Sequence, residues 1–225
     1  MKAVVSFVCL LLLGFSPYVS ADAVAWTEGV NYVLVQPAQP TGLPPGKVEV
    51  TEVFNYGCPY CNAFAPTADA LKASLPANAQ MDYLPASFSP AEDFPLFQRA
   101  YYTALALGVA QQMHQAMFDA VWKTGELAVI NLRTNQPRNP PPSLADVAAF
   151  YQKHAGIPAA KFIATANSFW VDSKIRNADA LVRAYAVDGT PDIIVNGKYR
   201  VNMQSVRSNN ELIQLVDWLV KQESH

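Results

Sequence analysis

The chain reads as an α/β fold whose sheet is interrupted by an all-helical insertion. Three observations predict this. The β-branched run Lys47 to Phe54 is followed by a helix-periodic segment and a second strand, the pattern of a βαβ unit. Residues from about 92 to about 187 carry apolar side chains at helical spacing. Strand character then returns at Asp192-Ile193-Ile194-Val195, with Asn196-Gly197 as a two-residue turn before Lys198-Tyr199-Arg200-Val201.

The elements follow in order. Lys2, the apolar stretch Val4 to Phe15 and the small-residue pattern Val19-Ser20-Ala21 predict a signal peptide over 1–21. The expected cut is near Ala21, with Ala23 as the alternative. The apolar stretch is short for a membrane span, and no other run approaches ~18 apolar residues, so the mature chain is expected to be soluble. Tyr32 to Val35 predicts a short edge strand. Pro37, Pro40, Pro44 and Pro45 then mark an extended connector. The strand Lys47 to Phe54 carries one residue out of place, Glu52, just before the cysteine motif.

A helix is expected from Cys58 to about Leu75, with Phe64, Ala68 and Leu71 on one face and a kink at Pro66. Gln80 to Leu84 returns as a strand. Leu96 to Gly108, Ala110 to Lys123, Ser143 to His154 and Ala159 to Ala186 read as helices, the last too long to stay unbroken. Ser143 with Asp146 forms a capping-box-like start. A final amphipathic helix starts near Ser208, with Glu211 three residues on, and buries Leu212, Leu215, Val216 and Leu219. The organisation is therefore 22–91 for the first part of the α/β fold, 92–187 for the helical insertion and 188–225 for the second part.

The chain has 225 residues and a formal charge of −2. Removing the signal takes away Lys2 and no acid, so the mature chain is one unit more negative. That excludes the basic face of a nucleic-acid binder. The chain has three cysteines, of which Cys9 lies in the signal, leaving Cys58 and Cys61. Two thiols separated by Pro59 and Tyr60 are too few for a disulfide framework or a four-ligand zinc site. They fit a dithiol cycling between thiols and a small-ring disulfide.

Following a strand and opening a helix, Cys58 would sit where unpaired N–H groups and the helix dipole stabilise a thiolate. Pro59 suits the first helical turn. Cys61, one turn later, should be less exposed. Gly189-Thr190-Pro191 precedes the hairpin. Spacing alone leaves Pro191 open between a trans edge position and a cis bond beside the dithiol. It equally leaves Glu52 open between a water-facing strand residue and a buried carboxylate.

Other chemistries find no support. His114, His154 and His225 stand at no metal-ligand spacing, and His114 reads as a helix-surface residue. G-x-S-x-G, H-E-x-x-H and phosphate-loop motifs are absent. Trp122, Trp170 and Trp218 read as core. Tyr56, Tyr60 and Phe88 belong either to the core or to a peptide groove.

In combination the motifs resemble the DsbA-type thiol:disulfide oxidoreductases of the thioredoxin superfamily. The matching pieces are Glu52-Val53-Phe54-Asn55-Tyr56-Gly57-Cys58-Pro59-Tyr60-Cys61, Ala104 to Val109, Asn167-Ser168-Phe169, and Gly189 to Tyr199. They run in family order and span nearly the whole mature chain. The resemblance implies a thioredoxin fold with an inserted helical domain, a cis Pro191 and a substrate-binding role for Thr190 and Pro191. It also implies Glu52 as a buried proton relay to the resolving Cys61, with Cys58 as nucleophile.

By this resemblance the protein is a periplasmic monomer. It introduces disulfides into reduced, unfolded exported polypeptides and is reoxidised by a DsbB-like, quinone-linked inner-membrane partner. It needs no metal or organic cofactor. A disulfide reductase or isomerase, and a thiolate metal carrier, are the competing readings. Two positions depart from the family pattern. Tyr60 stands where histidine is common, which predicts a less acidic Cys58 and a less oxidising disulfide. Thr190 stands where many family members carry valine; threonine occurs there in disulfide isomerases of the superfamily, which favours that competing reading.

Overall fold

The computed structural model describes residues 26–88 and 93–223. The expected signal, with its cut near Ala21, and the 91/92 division lie outside these residues.

Five strands form one mixed sheet: β1 (Tyr32–Leu34), β2 (Val48–Phe54), β3 (Ala79–Pro85), β4 (Asp192–Val195) and β5 (Tyr199–Val201). Their order is β1-β5-β4-β2-β3, with β2 and β3 parallel and the other pairs antiparallel. The parallel pair needs a crossover, which α1 (Pro59–Ser74) supplies. Pro66 lies inside α1 without ending it. The β4–β5 turn forms as its sequence requires: Asn196 and Gly197 both take positive φ, 54° and 63°. A side chain at Gly197 would collide with the main-chain oxygen of Gln39, 2.1 Å from where its Cβ would stand.

Between β3 and β4 lie α2 (Phe94–Ala106), α3 (Ala110–Trp122), α4 (Leu144–Ala155), α5 (Ala159–Ala166) and α6 (Phe169–Ala184). The expected break in the last long helix falls at Asn167-Ser168, where Ser168 accepts from Val171 N–H and starts a new helix. Ser143 and Asp146 form a full capping box on α4. The closing helix α7 (Asn209–Gln222) starts from Ser208, which accepts from Glu211 N–H.

Two cores flank the sheet. One joins Val53, Phe54 and Ile194 to the helical insertion through Phe97, Met117, Phe118 and Tyr151. The other packs Val48, Val50, Ile193 and Val195 under Leu71 of α1 and the apolar face of α7. Ile193 and Ile194 thus point to opposite faces, as the strand period demands. Of the three tryptophans expected in the core, Trp122 and Trp218 are partly buried against it. Trp170 is 43% exposed, since it lies in the first turn of α6, away from the buried stripe Val171, Ala178 and Val182.

Candidate active site

The sheet register assembles the site. In the antiparallel pairing of β2 with β4, Val53 stands opposite Asp192. The chain leaving β2 and the chain entering β4 therefore meet at one edge of the fold. Residues 55–58 follow the first point and residues 188–191 precede the second. Cys58 and Thr190-Pro191, far apart in sequence, become neighbours, and the Thr190-Pro191 bond is cis.

Cys58 is the N-cap of α1, with extended backbone at φ −86° and ψ 118°. Its Sγ accepts from Cys61 N–H at 3.4 Å. In the thiol form it donates to the Thr190 carbonyl at 3.3 Å. Pro59 occupies the first helical position, where its missing N–H costs nothing. The two cysteines are unbridged, and they differ in environment. Hydrogen bonding from the Cys61 thiol pulls the Cys58 pKa down to about 6, against burial and with help from Thr190 and the main-chain N–H groups of Tyr60 and Cys61. Burial drives the Cys61 thiol far up, and the Cys58 thiolate beside it adds to the effect. Cys61 is fully buried.

Tyr60 is 74% exposed, and its side chain makes none of the hydrogen bonds at Cys58. Glu52 resolves to the buried alternative, at 1% exposure. It shares the sheet face of Val48 and Val50, which α1 and α7 cover. Neither carboxyl oxygen has a hydrogen-bond partner among the described residues. Burial pushes its pKa up to about 8, with Asp69 and the Cys58 thiolate contributing. Glu52 is therefore held largely as the neutral acid at pH 7, within electrostatic reach of Cys58.

The loop between β2 and Cys58 is held by residues that sequence reasoning had not assigned to the site. Asn55, 1% exposed, accepts from Gly57 N–H and donates to Ala86 O at 2.7 Å and Phe94 O at 3.2 Å. Its own carbonyl accepts from Cys58 N–H. A buried asparagine directly before the motif was the available signal. Gly57 packs against Phe97, which a Cβ would approach to 3.2 Å. His114 corrects the surface assignment. It lies half-buried in a stack with Phe54, Tyr56, Tyr83 and Phe118, and its Nδ1 is 2.9 Å from the Tyr56 hydroxyl. Burial lowers its pKa to about 4. The spacing Ala110, His114, Phe118, Trp122 puts it on the inward stripe of α3, a signal masked by the exposed Gln111, Gln112 and Gln115 around it.

Tyr56 belongs to the core at 1% exposure, whereas Tyr60 and Phe88 stand at the surface. Beside the Thr190-Pro191 loop lies a trough of about 410 Å³, whose walls include Val33, Thr190, Pro191, Arg200 and Met203. Arg200 braces this loop. It reaches Asp192 at 2.7 Å and Asp188 at 2.8 Å, and it donates to the Ala186 carbonyl.

Comparison with known proteins gives a consistent result. A family model described as a DSBA-like thioredoxin domain matches residues 49–214. The thiol:disulfide interchange protein DsbA of Pseudomonas aeruginosa is 34% identical over 204 residues, covering 91% of this chain and 89% of the relative. That of Burkholderia cepacia is 31% identical over 222 residues, covering 99% and 97%. The crystal structure of Pseudomonas aeruginosa DsbA superposes with a TM-score of 0.72 at 32% identity, covering 88% of this chain and 94% of that one. The Xylella fastidiosa oxidoreductase DsbA gives a TM-score of 0.73 at 30% identity, covering 86% and 95%.

Proposed function

The chain belongs to the DSBA-like thioredoxin-domain family and is a thiol:disulfide oxidoreductase, and from that premise we propose that it is an exported dithiol oxidase. The observation that carries the direction of the chemistry is the contrast between the two thiols. Cys58 is acidified at the N-terminus of α1 while Cys61 is buried and driven up. A stable Cys58 thiolate favours the reduced enzyme, which makes its disulfide a good oxidant.

A substrate thiolate attacks Cys58 Sγ of the enzyme disulfide. The Cys58–Cys61 bond breaks, a substrate–Cys58 disulfide forms, and Cys61 leaves as a thiolate that Glu52 protonates. A second substrate thiolate attacks the substrate sulfur of the mixed disulfide and expels the Cys58 thiolate. Two electrons pass from two substrate thiols to the enzyme pair. Glu52 suits the relay because it holds its proton up to about pH 8. Pro59 and Tyr60 tune the pair through the first helical turn. Thr190 and Pro191 hold an extended substrate peptide, with the adjoining trough taking its side chains.

The substrates are reduced, unfolded exported polypeptides, met by a monomer in the periplasm after removal of residues 1–21. Residues 22–91 and 188–225 carry the thioredoxin fold and residues 92–187 the insertion. A DsbB-like inner-membrane protein returns the two electrons to quinone, and no resident metal or organic cofactor takes part. Acid trapping followed by thiol alkylation in the intact cell tests the direction. The pair should be recovered mostly as disulfide; a mostly reduced pair overturns the oxidase reading in favour of a reductase or isomerase.

A further inference from the structure

The helical insertion touches the active-site loop at the residue two positions before Cys58. Trp122 Nε1, at the end of α3, donates to the main-chain oxygen of Tyr56 at 2.8 Å. Two turns earlier on the same stripe, His114 Nδ1 meets the Tyr56 hydroxyl at 2.9 Å. Tyr56 is thus gripped at both its backbone and its side-chain end by one helix. Its ring is locked edge-on against Phe54 and Phe118, with centroids 5.1 and 5.0 Å away. The rest of the loop is tied by Asn55 and by Gly57 against Phe97. The α/β part alone supplies neither partner of Tyr56.

We infer that His114 and Trp122 are positioning residues for Cys58: through Tyr56, α3 of the insertion fixes the loop that sets this sulfur at the N-terminus of α1. The reason is geometric. The bonds that favour the Cys58 thiolate are directional, from Cys61, Thr190 and the first N–H groups of α1. A loop free to shift averages them with poorer geometries. Slack therefore moves Cys58 one way only, toward an ordinary cysteine and a weaker oxidant. Burial keeps the His114 ring neutral at pH 7 and the Tyr56 phenol protonated, so the pair shares a single hydrogen at that pH. The other groups bearing on Cys58, namely Glu52, Cys61, Thr190 and the Tyr60 main-chain N–H, lie outside α3. This assignment deepens the dithiol-oxidase reading and rests on it.

Trp122→Phe, which keeps a ring and removes the N–H, tests the backbone grip. His114→Phe and Tyr56→Phe remove the same hydroxyl–imidazole bond from its two ends. The readouts are the Cys58 thiolate titration by ultraviolet absorbance and the equilibrium constant with glutathione. Leu219→Ala, in the core on the other side of the sheet, serves as a control for simple loss of stability. Each single variant is expected to raise the Cys58 midpoint by about one unit and to shift the glutathione equilibrium about tenfold toward the reducing side, roughly 30 mV. The His114→Phe/Tyr56→Phe double variant should move no further than either single one, since both remove one bond. Leu219→Ala should lower the unfolding midpoint and leave the titration unmoved. Variants that lose stability yet keep the wild-type Cys58 midpoint and equilibrium within twofold overturn the assignment. Should Trp122→Phe fail to fold, the His114 and Tyr56 variants decide. A wild-type Cys58 titrating like a free cysteine would instead count against the oxidase reading, so the two failures are distinguishable.

Discussion

Cys58 Sγ lies 3.3 Å from the main-chain oxygen of Thr190, 132 residues further along the chain. The contact follows from one strand register, since Val53 opposite Asp192 brings the two loops to the same edge. It joins the sulfur to the cis-proline loop, so a peptide laid along that loop passes the reacting atom. Much of the chemistry therefore depends on how firmly each loop is held.

The Thr190 side chain is one of the groups that lower the Cys58 pKa. A hydrogen bond to a charged group contributes about 1.5–3 kcal/mol, which corresponds to about one to two pKa units. Thr190→Val is therefore expected to raise the Cys58 midpoint by about one unit and to weaken the oxidant. Absorbance titration of the thiolate checks this, and an unmoved midpoint removes the hydroxyl from the account.

Tyr60 offers the thiolate its backbone N–H and little else, because its side chain faces solvent. A protonated histidine at this position would add a positive charge beside the sulfur. Tyr60→His should lower the Cys58 pKa by about one unit and raise the potential by roughly 30 mV for each tenfold gain in the glutathione equilibrium. No change in either quantity would show that the dipeptide acts through its backbone alone.

Glu52 keeps its proton in the folded protein up to about pH 8, whereas an unfolded glutamate loses it near ~4.3. Between these values the unfolded state binds fewer protons at this side chain, so the contribution of Glu52 to stability falls as pH rises and levels off above about pH 8. The accumulated loss at pH 7 is about 3.6 kcal/mol. Glu52→Gln should remove this contribution, leave the protein more stable than wild type at pH 8, and slow peptide oxidation by about 100-fold. Denaturant midpoints at pH 5 and pH 8 give the first result. A variant that keeps the wild-type slope would assign the titration to another group.

Arg200 holds the cis-proline loop through Asp188, Asp192 and the Ala186 carbonyl. Asp192 is buried, and burial raises its pKa despite the arginine. Arg200→Met strips the cation from a buried carboxylate and should destabilise the fold by about 3 kcal/mol. Arg200→Lys keeps a charge without the fork and should recover part of that stability. Equal losses in both variants, read from urea unfolding, would show that the fork geometry is what matters.

The fold was legible wherever a local pattern had one physical outcome. Asn196-Gly197 made a hairpin turn, Ser143 with Asp146 a helix start, and the β-branched run before Cys58 a strand. Cys58, Pro59 and Cys61 were legible because the dithiol carries its own chemistry in its spacing. Glu52 and Pro191 were not settled by spacing, because burial and peptide-bond geometry are set by tertiary neighbours. The neighbours of Tyr56 were missed for the same reason. His114 sits among exposed glutamines on α3, and only the packed structure shows which side of the helix turns inward. Trp170 erred the opposite way: a large apolar residue at a helix start faced solvent.

The proposed oxidase activity rests on an acidified Cys58. The equilibrium of the purified protein with a series of glutathione buffers measures this directly. An acidified Cys58 should give a potential more oxidising than about −200 mV, above the range of the reducing glutaredoxins. A value near about −270 mV, that of thioredoxin, would contradict it.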